Sequence, residues 1–201
     1  MTNNKLQILL GSASPRRRAL LAALDLPFTA INIEADETFP ANLQGGDIPY
    51  YISRAKAHAY ADRLTENQLL ITADTIVWLD GQMLGKPHDE ADAASMLRSL
   101  SGRTHQVYTA VTFAQKVTNL STFNLQLSTL VDRTDVTFRE LTDEEIQHYV
   151  THYRPLDKAG AYGIQEWIGC IACTGMNGSY FNVMGFPVHR VYEQLKNRGI
   201  I

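Results

Sequence analysis

The segment LLITADTIVWL, residues 69–79, restricts the fold of this chain more than any other feature of the sequence. It is almost entirely apolar, which is typical of a strand that is buried within a sheet. Asp80 and Gly81 follow it and form a favoured two-residue hairpin turn, so residues 82–84 should pair back on the strand. The sequence therefore predicts a buried strand with a short antiparallel neighbour.

Strand-like and helix-like patterns alternate along the rest of the chain. The predicted strands span residues 6–10, 28–33, 106–114, 125–138, 163–174 and 180–184, and the predicted helices span residues 15–26, 49–64, 90–100, 143–150 and 187–197. Ser14 and Asp89 are suitable N-caps, and Thr142 with Glu145 forms a capping box. The alternation predicts an α/β fold of one domain, residues 1–201, with a central, mostly mixed sheet covered by helices. Residues 140–180 are the candidate for a second lobe that faces a cleft.

Bulk composition narrows the class of partner. The chain has 201 residues, of which 45% are hydrophobic and 19% charged, so it can bury a core. A formal net charge of −3 gives no electrostatic reason to expect a nucleic acid or a membrane surface as a partner. No apolar run approaches the roughly 20 residues of a membrane span, and the N-terminal segment lacks the pattern of a secretory signal. We therefore expect a cytoplasmic protein.

The two cysteines, Cys170 and Cys173, have the C-x-x-C spacing of redox motifs and zinc sites. They lie in the strand-like run WIGCIACTG, in which they would point to opposite faces and pair poorly. We interpret them as two small core thiols in a reducing compartment. His105, in SGRTHQVYT, is interpreted as a structural histidine rather than a catalytic one.

Three arginines, Arg16, Arg17 and Arg18, follow the N-cap Ser14 and stand in the first turn of a predicted helix. Unpaired amides and the helix dipole make this end of a helix positive, so arginines there are repelled. The arrangement becomes favourable when an anion binds in front of the helix, where guanidinium groups and the hydroxyls of Ser12 and Ser14 converge. The alternative is a solvated helix end whose arginines pair with surface acids.

Asp74 interrupts the apolar strand of residues 69–79, and a buried carboxylate is costly unless it is paired, hydrogen-bonded or bound to a metal. It is either a strand-end residue that caps a neighbouring turn or a metal ligand or general base, with Thr75 beside it as a polar contact to substrate. Glu37 follows the second predicted strand, where sites assemble in α/β folds. Its carboxylate could share Mg²⁺ or Mn²⁺ with Asp74, although acids in such a loop are also typical of a solvated surface.

Lys56 borders the buried face of its predicted helix, and Lys86 lies in the short turn GKP. Either could be an ordinary surface lysine, but both would serve a polyphosphate whose charge is spread over several groups. In DKAGAYGIQ, residues 157–165, three small residues allow a close backbone approach. Gln165 has both a donor and an acceptor, which is what reading the edge of a base requires.

Segments along nearly the whole chain resemble the Maf family of nucleoside triphosphate pyrophosphatases. They are SASPRR at 12–17, DE at 36–37, SRAKA at 53–57, ADT at 73–75, GKP at 85–87, SGRTHQVYT at 101–109, DKAGAYGIQ at 157–165 and NGSYFNVMGFP at 177–187. Each segment alone is a weak signal, but the ordered set is highly specific. The resemblance implies an α/β fold with a curved mixed sheet and two lobes around a deep cleft, similar to that of inosine triphosphatases.

The resemblance also implies an activity. The family hydrolyses nucleotides between the α- and β-phosphates with the help of a divalent cation, and it suggests a homodimer. Its proton acceptor falls on Asp74, and its substrate-selecting positions fall on Arg16, Thr75 and Gln165, a combination that resembles the subgroup acting on dTTP and UTP. Rival hypotheses are a nucleotide-binding regulator of cell division with little catalysis, and a different phosphohydrolase such as a phosphomonoesterase.

These expectations combine into one predicted site for a nucleoside triphosphate. Asp74 would orient or deprotonate the attacking water, and Glu37 and Lys56 would complete the catalytic group, with Asp74 and Glu37 as ligands of Mg²⁺ or Mn²⁺. The phosphates would be bound by hydroxyl and cationic side chains. These are Ser12, Ser14, Arg16, Arg17, Lys56 and Lys86.

Overall fold

The computed structural model describes residues 6–119 and 122–201, and within these residues seven strands form one mixed sheet. The strands are β1 (Gln7–Gly11), β2 (Phe28–Ile31), β3 (Gln68–Leu79), β4 (Gln82–Leu84), β5 (Thr104–Asn119), β6 (Thr122–Phe138) and β7 (Cys173–Asn177). Their order is β2-β1-β3-β5-β6-β7, and β4 pairs with β3. The parallel strands β2, β1 and β3 are followed by antiparallel ones, so the predicted mixed α/β fold is confirmed.

Helices surround this sheet, and their starts follow the predicted caps. They are α1 (Pro15–Ala22), α2 (Asp47–Ala59), α3 (Glu90–Leu100), α4 (Asp143–Tyr153), α5 (Trp167–Ala172), α6 (Tyr180–Val183) and α7 (Val188–Asn197), with 3₁₀ turns at Ala61–Arg63 and Ala159–Ala161. The side chains of Ser14 and Asp89 accept the predicted capping bonds, and Thr142 and Glu145 form both bonds of a capping box. Of the helices in the described part of the chain, none has the length and apolarity needed to cross a membrane.

Strand β3 is the centre of the hydrophobic core, because its alternate residues face different layers. Leu69 and Ile71 pack in a cluster with residues of α1 and α7. On the opposite face, Ile76 packs against α2, and the Thr72 hydroxyl donates to the Ser53 carbonyl of α2 at 2.7 Å. Helices thus cover both faces of β3, as its apolar sequence predicts.

One edge of β3 has a gap that we call the notch, defined as residues 73–76. On this edge β1 pairs with β3 only as far as Thr72, and β4 begins to pair only at Val77. On the opposite edge β5 pairs continuously with β3 past the notch. The backbone of β3 is therefore held in place while one of its edges stays open between two strand partners.

Two predicted strands are wrong. Residues 163–174 contain helix α5 rather than a single strand, and residues 180–184 contain helix α6. Ser179 explains the second case, because its hydroxyl accepts from the amide of Asn182 and caps a helix. The interpretation of the cysteines is corrected as well, since Cys170 lies on α5 and is exposed and Cys173 is half-buried at the start of β7. Cys170 is therefore not a core thiol.

Candidate active site

A cleft of about 620 Å³ opens at the notch. It lies at a switch point of the topology, because the chain leaves β1 to form β2 on one side and then crosses to form β3 on the other. Every residue predicted for the site lines this one cleft, although the residues come from separate elements. They are Ser12, Ser14, Arg16, Arg17, Glu37, Lys56, Asp74, Thr75, Lys86 and Gln165.

The floor of the cleft holds a lysine between two carboxylates. Lys56 Nζ lies 2.8 Å from Asp74 Oδ1 and 2.9 Å from Glu37 Oε1. Lys56 and Asp74 are each only 13% exposed, whereas Glu37 is 53% exposed at the rim. Helix α2 supplies Lys56 from the face of the sheet towards which Asp74 points, so the pairing follows from the alternation along β3. Asp74 is paired rather than capping a turn.

Burial alone would raise the pKa of Glu37, but the hydrogen bond from Lys56 and the charges of Lys56, Lys86 and Arg17 outweigh it. The pKa of Glu37 is therefore lowered, and the group is ionised at neutral pH. Two carboxylates that converge on one ammonium are hard oxygen donors suited to Mg²⁺ or Mn²⁺. Among the described residues no group of three or more acids, histidines or cysteines could hold a metal, so further ligands would have to come from phosphates and water.

We expect Glu37→Gln to lower the free energy of unfolding at neutral pH by less than about 1 kcal/mol, because solvent screens this half-exposed pair. A lowered folded-state pKa gives stability above the unfolded-state pKa of about 4.3, and this stability is lost as the pH falls through the folded-state value. Urea unfolding from about pH 7 to about pH 3 measures the difference between the two proteins. It should be largest at neutral pH and vanish in acid; a difference that grows in acid would contradict the assignment.

The N-terminus of α1 forms one wall of the cleft. The Ser12 hydroxyl accepts from the amide of Ser14, and the Ser14 hydroxyl accepts from the amide of Arg17. Arg16 reaches across the cleft, where its Nη1 lies 2.9 Å from Asp157 Oδ2. The exposed Arg18 donates from Nε to the carbonyl of Ser12. The first turn of this helix thus presents two hydroxyls and two guanidinium groups to the cleft.

Arg17 is the side chain that binds the backbone at the open edge of the notch. Its guanidinium donates to the Ala73 carbonyl at 3.0 Å, to Thr75 Oγ1 at 3.0 Å and to the Gly185 carbonyl at 2.8 Å. Burial lowers the pKa of Arg17, and the negative charge of Asp74 partly offsets this. Arg17 therefore takes the place of a strand partner and joins α1, β3 and the turn at Gly185.

Thr75 and Asp74 are neighbours in β3 and so point to opposite faces of the sheet. Both nevertheless line the same cleft, because the open edge of the notch lets the cleft reach both faces. The Thr75 hydroxyl lies 3.0 Å from that of Thr109, which donates to the Asn182 carbonyl. The buried Gln165 Oε1 has no hydrogen-bond partner within residues 6–119 and 122–201. It is an unused acceptor in the wall of the cleft.

Sequence reasoning missed the partners of one buried lysine. Lys158 is 9% exposed, and its Nζ lies 2.6 Å from Asp157 Oδ1 and 3.1 Å from Glu166 Oε1. The hydroxyl of Tyr149, from α4, donates to Glu166 Oε2. Asp157 and Lys158 belong to the segment DKAGAYGIQ, whose polar groups the sequence indicates as candidates for the site. No spacing links them to Tyr149, because that residue lies on a separate helix.

His105 is fully buried and is not a proton carrier at neutral pH. Burial lowers its pKa to about 4, and its Nε2 lies 2.8 Å from the Tyr162 hydroxyl. Its ring packs edge-on against Phe138 and Tyr162. Since Tyr162 lines the cleft, His105 supports the wall from behind, as a structural histidine does.

The family described as Maf-like protein matches residues 7–198 of the sequence. The chain belongs to the Maf family. Curated Maf relatives include the "dTTP/UTP pyrophosphatase" of Phocaeicola vulgatus, 51% identical over 193 residues, and that of Bacteroides thetaiotaomicron, 48% identical over 194 residues. Each alignment covers 96% of this chain and 96% of the relative.

Solved structures outside this close group resemble the Maf chain more distantly. The Staphylococcus aureus Ham1 protein aligns with a TM-score of 0.45 at 13% identity, covering 66% of this chain and 71% of its own. A nucleoside-triphosphatase, or dITP/XTP pyrophosphatase, from Mycobacterium abscessus aligns with a TM-score of 0.41 at 12% identity, covering 96% of both chains.

Proposed function

We propose that this Maf protein is a nucleoside triphosphate pyrophosphatase that hydrolyses dTTP and UTP, and modified pyrimidine nucleotides of the same shape, to the monophosphate and pyrophosphate. The observation that carries the proposal is the group formed by Lys56, Asp74 and Glu37 at the open edge of β3. Two carboxylates and a cation lie together in one cleft that also contains the N-terminus of a helix, and we assign the role of the base to Asp74. The name shared by relatives at about half identity supports the same activity.

The proposed hydrolysis gives roles to Asp74 and Lys56 on the floor of the cleft. The oxygen of water forms a bond to the α-phosphorus, and the bond from that phosphorus to the bridging oxygen breaks, so pyrophosphate leaves. Asp74 would accept the proton of the water or hold it in line, since its Oδ1 accepts from Lys56 and its Oδ2 could then receive the proton. Lys56 would stabilise the charge that develops on the phosphates.

Asp74 and Glu37 are the residues that would hold Mg²⁺ or Mn²⁺. When bound, such a cation supplies charge neutralisation and polarisation of the phosphoryl oxygens. The hard oxygen donors of the two carboxylates fit this role, because Mg²⁺ is commonly bound by one or two carboxylates together with substrate phosphates and water. Both carboxylates contact Lys56 Nζ, at 2.8 and 2.9 Å, so they face the same part of the cleft.

The walls supply the contacts to the rest of the nucleotide. The hydroxyls of Ser12 and Ser14 and the cations Arg16 and Lys86 are suited to the phosphates. Arg17 would contribute the N–H groups that remain after its three bonds to the protein. Arg16, Thr75 and Gln165 would select the base, and the unused acceptor of Gln165 suits a donor on a pyrimidine edge.

Two further expectations go with this proposal. A nucleotide-cleansing enzyme acts where nucleotides are polymerised, so we place the protein in the cytoplasm, in keeping with the composition of the chain. We also propose a homodimer, as the family suggests. Neither a nucleic acid nor a membrane is proposed as a partner, because the net charge of −3 favours neither.

The test is a panel of nucleotides scored for their products. dTTP, UTP, CTP, GTP and ITP are incubated with the protein and Mg²⁺ or Mn²⁺, and pyrophosphate and orthophosphate are measured separately. We expect pyrophosphate and monophosphate, with dTTP and UTP preferred. The products diphosphate and orthophosphate would contradict the bond assignment. A nucleoside monophosphate is tested in parallel, and release of orthophosphate from it would favour a phosphomonoesterase. Tight binding of nucleotide without turnover would favour the regulator of cell division.

A further inference from the structure

Behind Gln165 lies a chain of polar side chains that begins at Arg16 and continues through four residues to which the proposed chemistry gives no role. Arg16 contacts Asp157, Asp157 contacts Lys158, Lys158 contacts Glu166, and Glu166 accepts from the Tyr149 hydroxyl. We call these five residues the relay. It crosses the cleft from the N-terminus of α1 to helix α4.

Lys158 is the centre of the relay. It is the most buried of its charged members, at 9% exposure against 26% for Arg16, 59% for Asp157 and 21% for Glu166. Each carboxylate divides its two oxygens between Lys158 and one other donor. Burial would raise the pKa of Asp157, but the hydrogen bonds from Lys158 and Arg16 outweigh it and the pKa is lowered. Both carboxylates are therefore positioned by one buried ammonium.

The far end of the relay holds the loop that carries Gln165. The Tyr149 hydroxyl accepts from the amide of Gly163 at 3.1 Å, and the amide of Glu166 donates to the Gly163 carbonyl at 2.9 Å. Gln165 lies between these two fixed residues. The near end of the relay holds Arg16 at the opposite wall, 2.9 Å from Asp157. The two predicted base-selecting groups are thus connected through Lys158.

We propose that Lys158 is a positioning residue for substrate selection, which fixes Arg16 through Asp157 and Gln165 through Glu166. The proposal rests on the proposed function, since it concerns how the base of a nucleotide is read. Within the described residues, the relay makes no hydrogen bond or ion pair with Asp74, Glu37 or Lys56. Loss of Lys158 should therefore weaken selection between bases and leave the chemical step in place.

The experiment compares Lys158→Gln with the wild type on dTTP and on ITP, a purine nucleotide. We expect the ratio of kcat/KM for dTTP over ITP to fall at least tenfold, mainly through KM for dTTP, while kcat changes less than threefold. Lys158→Arg keeps the cation and should restore most of the ratio. Lys196→Gln, which removes an exposed lysine from α7, is the matched control and should change nothing. Equal losses on both nucleotides would show a merely structural role and overturn the proposal.

A second experiment tests whether Lys158 acts through Arg16, with a variant that lacks both side chains. In an Arg16→Gln background, Lys158→Gln should lower the ratio by a smaller factor than in the wild type, because its effect through Asp157 is already lost and only its effect through Glu166 remains. Effects that multiply independently would overturn the relay. If Lys158→Gln does not fold, Tyr149→Phe breaks the same relay by removing a single hydroxyl and should shift the ratio in the same direction; an unchanged ratio would overturn it.

A binding measurement tests the relay independently of the proposed pyrophosphatase activity. Dissociation constants for the α,β-methylene analogues of dTTP and ITP are measured by calorimetry, which needs no turnover. If the wild type releases no pyrophosphate but Lys158→Gln still loses at least tenfold in binding selectivity, the proposed function fails and the relay stands. Unchanged binding selectivity overturns the relay whatever the turnover.

Discussion

Asp74→Asn is expected to lower kcat for pyrophosphate release about 10³-fold, the central range for loss of a general base. The asparagine keeps the size of the side chain and an oxygen that can accept from Lys56, so the floor of the cleft stays in place. It removes the charge and the ability to accept a proton. KM should change much less, because most of the proposed phosphate ligands are cations and hydroxyls of the walls.

The matched control for this variant is Asp62→Asn, which removes an exposed carboxylate from the 3₁₀ turn of Ala61–Arg63. It should leave both kcat and the free energy of unfolding unchanged within error. Steady-state kinetics with dTTP measure both proteins. If Asp74→Asn retains more than a tenth of the activity, Asp74 is not the base, and a rival acceptor must lie among the other groups of the cleft.

Gly169→Ala is expected to destabilise the fold by at least about 3 kcal/mol, the upper part of the range for overpacking. A Cβ at position 169 would lie 1.9 Å from the carbonyl oxygen of Ile164 and 2.5 Å from its carbon. Both are backbone atoms, so no rotamer change can relieve the contact. Because Ile164 precedes Gln165, the displacement would also move the amide that we propose reads the base.

Gly175→Ala is the control for Gly169→Ala. It lies in β7, where an added Cβ would meet only the side chain of Thr137 at an ordinary 3.6 Å. Its free energy of unfolding should stay within about 1 kcal/mol of the wild type. Urea unfolding measures both variants. If Gly169→Ala is as stable as Gly175→Ala, helix α5 does not rest on the backbone of Ile164 in the way described.

The close approach of Gly169 to Ile164 also explains why helix α5 could not be predicted from the sequence. WIGCIACTG is as apolar as a strand, and local preference therefore predicted one. Its first six residues are helical, and Gly169 lets this helix, α5, lie directly on the carbonyl of Ile164, a contact that no periodicity reveals; its last three residues begin strand β7. The caps of Ser14, Asp89 and Thr142 were predictable, since each depends on residues within one turn.

The members of the site could be predicted better than their contacts. Asp74 was conspicuous because a carboxylate in an apolar strand needs a partner, and the structure supplies Lys56. Arg17 was predicted as a phosphate ligand, and that prediction still stands beside its three bonds to the protein. Those bonds depend on the open edge of β3, which follows from where β1 ends and β4 begins. Sheet register of this kind joins distant segments and leaves no local trace.

The contacts of Arg17 at the notch also join an early part of the chain to a late one. Two of its three acceptors, Ala73 and Thr75, lie on β3, but the third is the carbonyl of Gly185, which comes much later in the chain. The residues of β1, β3, β5 and β6 all precede Gly185 in the chain, so they leave the ribosome before it does. A chain released before Gly185 would contain Asp74 and Lys56 but would lack one of the three acceptors that hold Arg17 beside them.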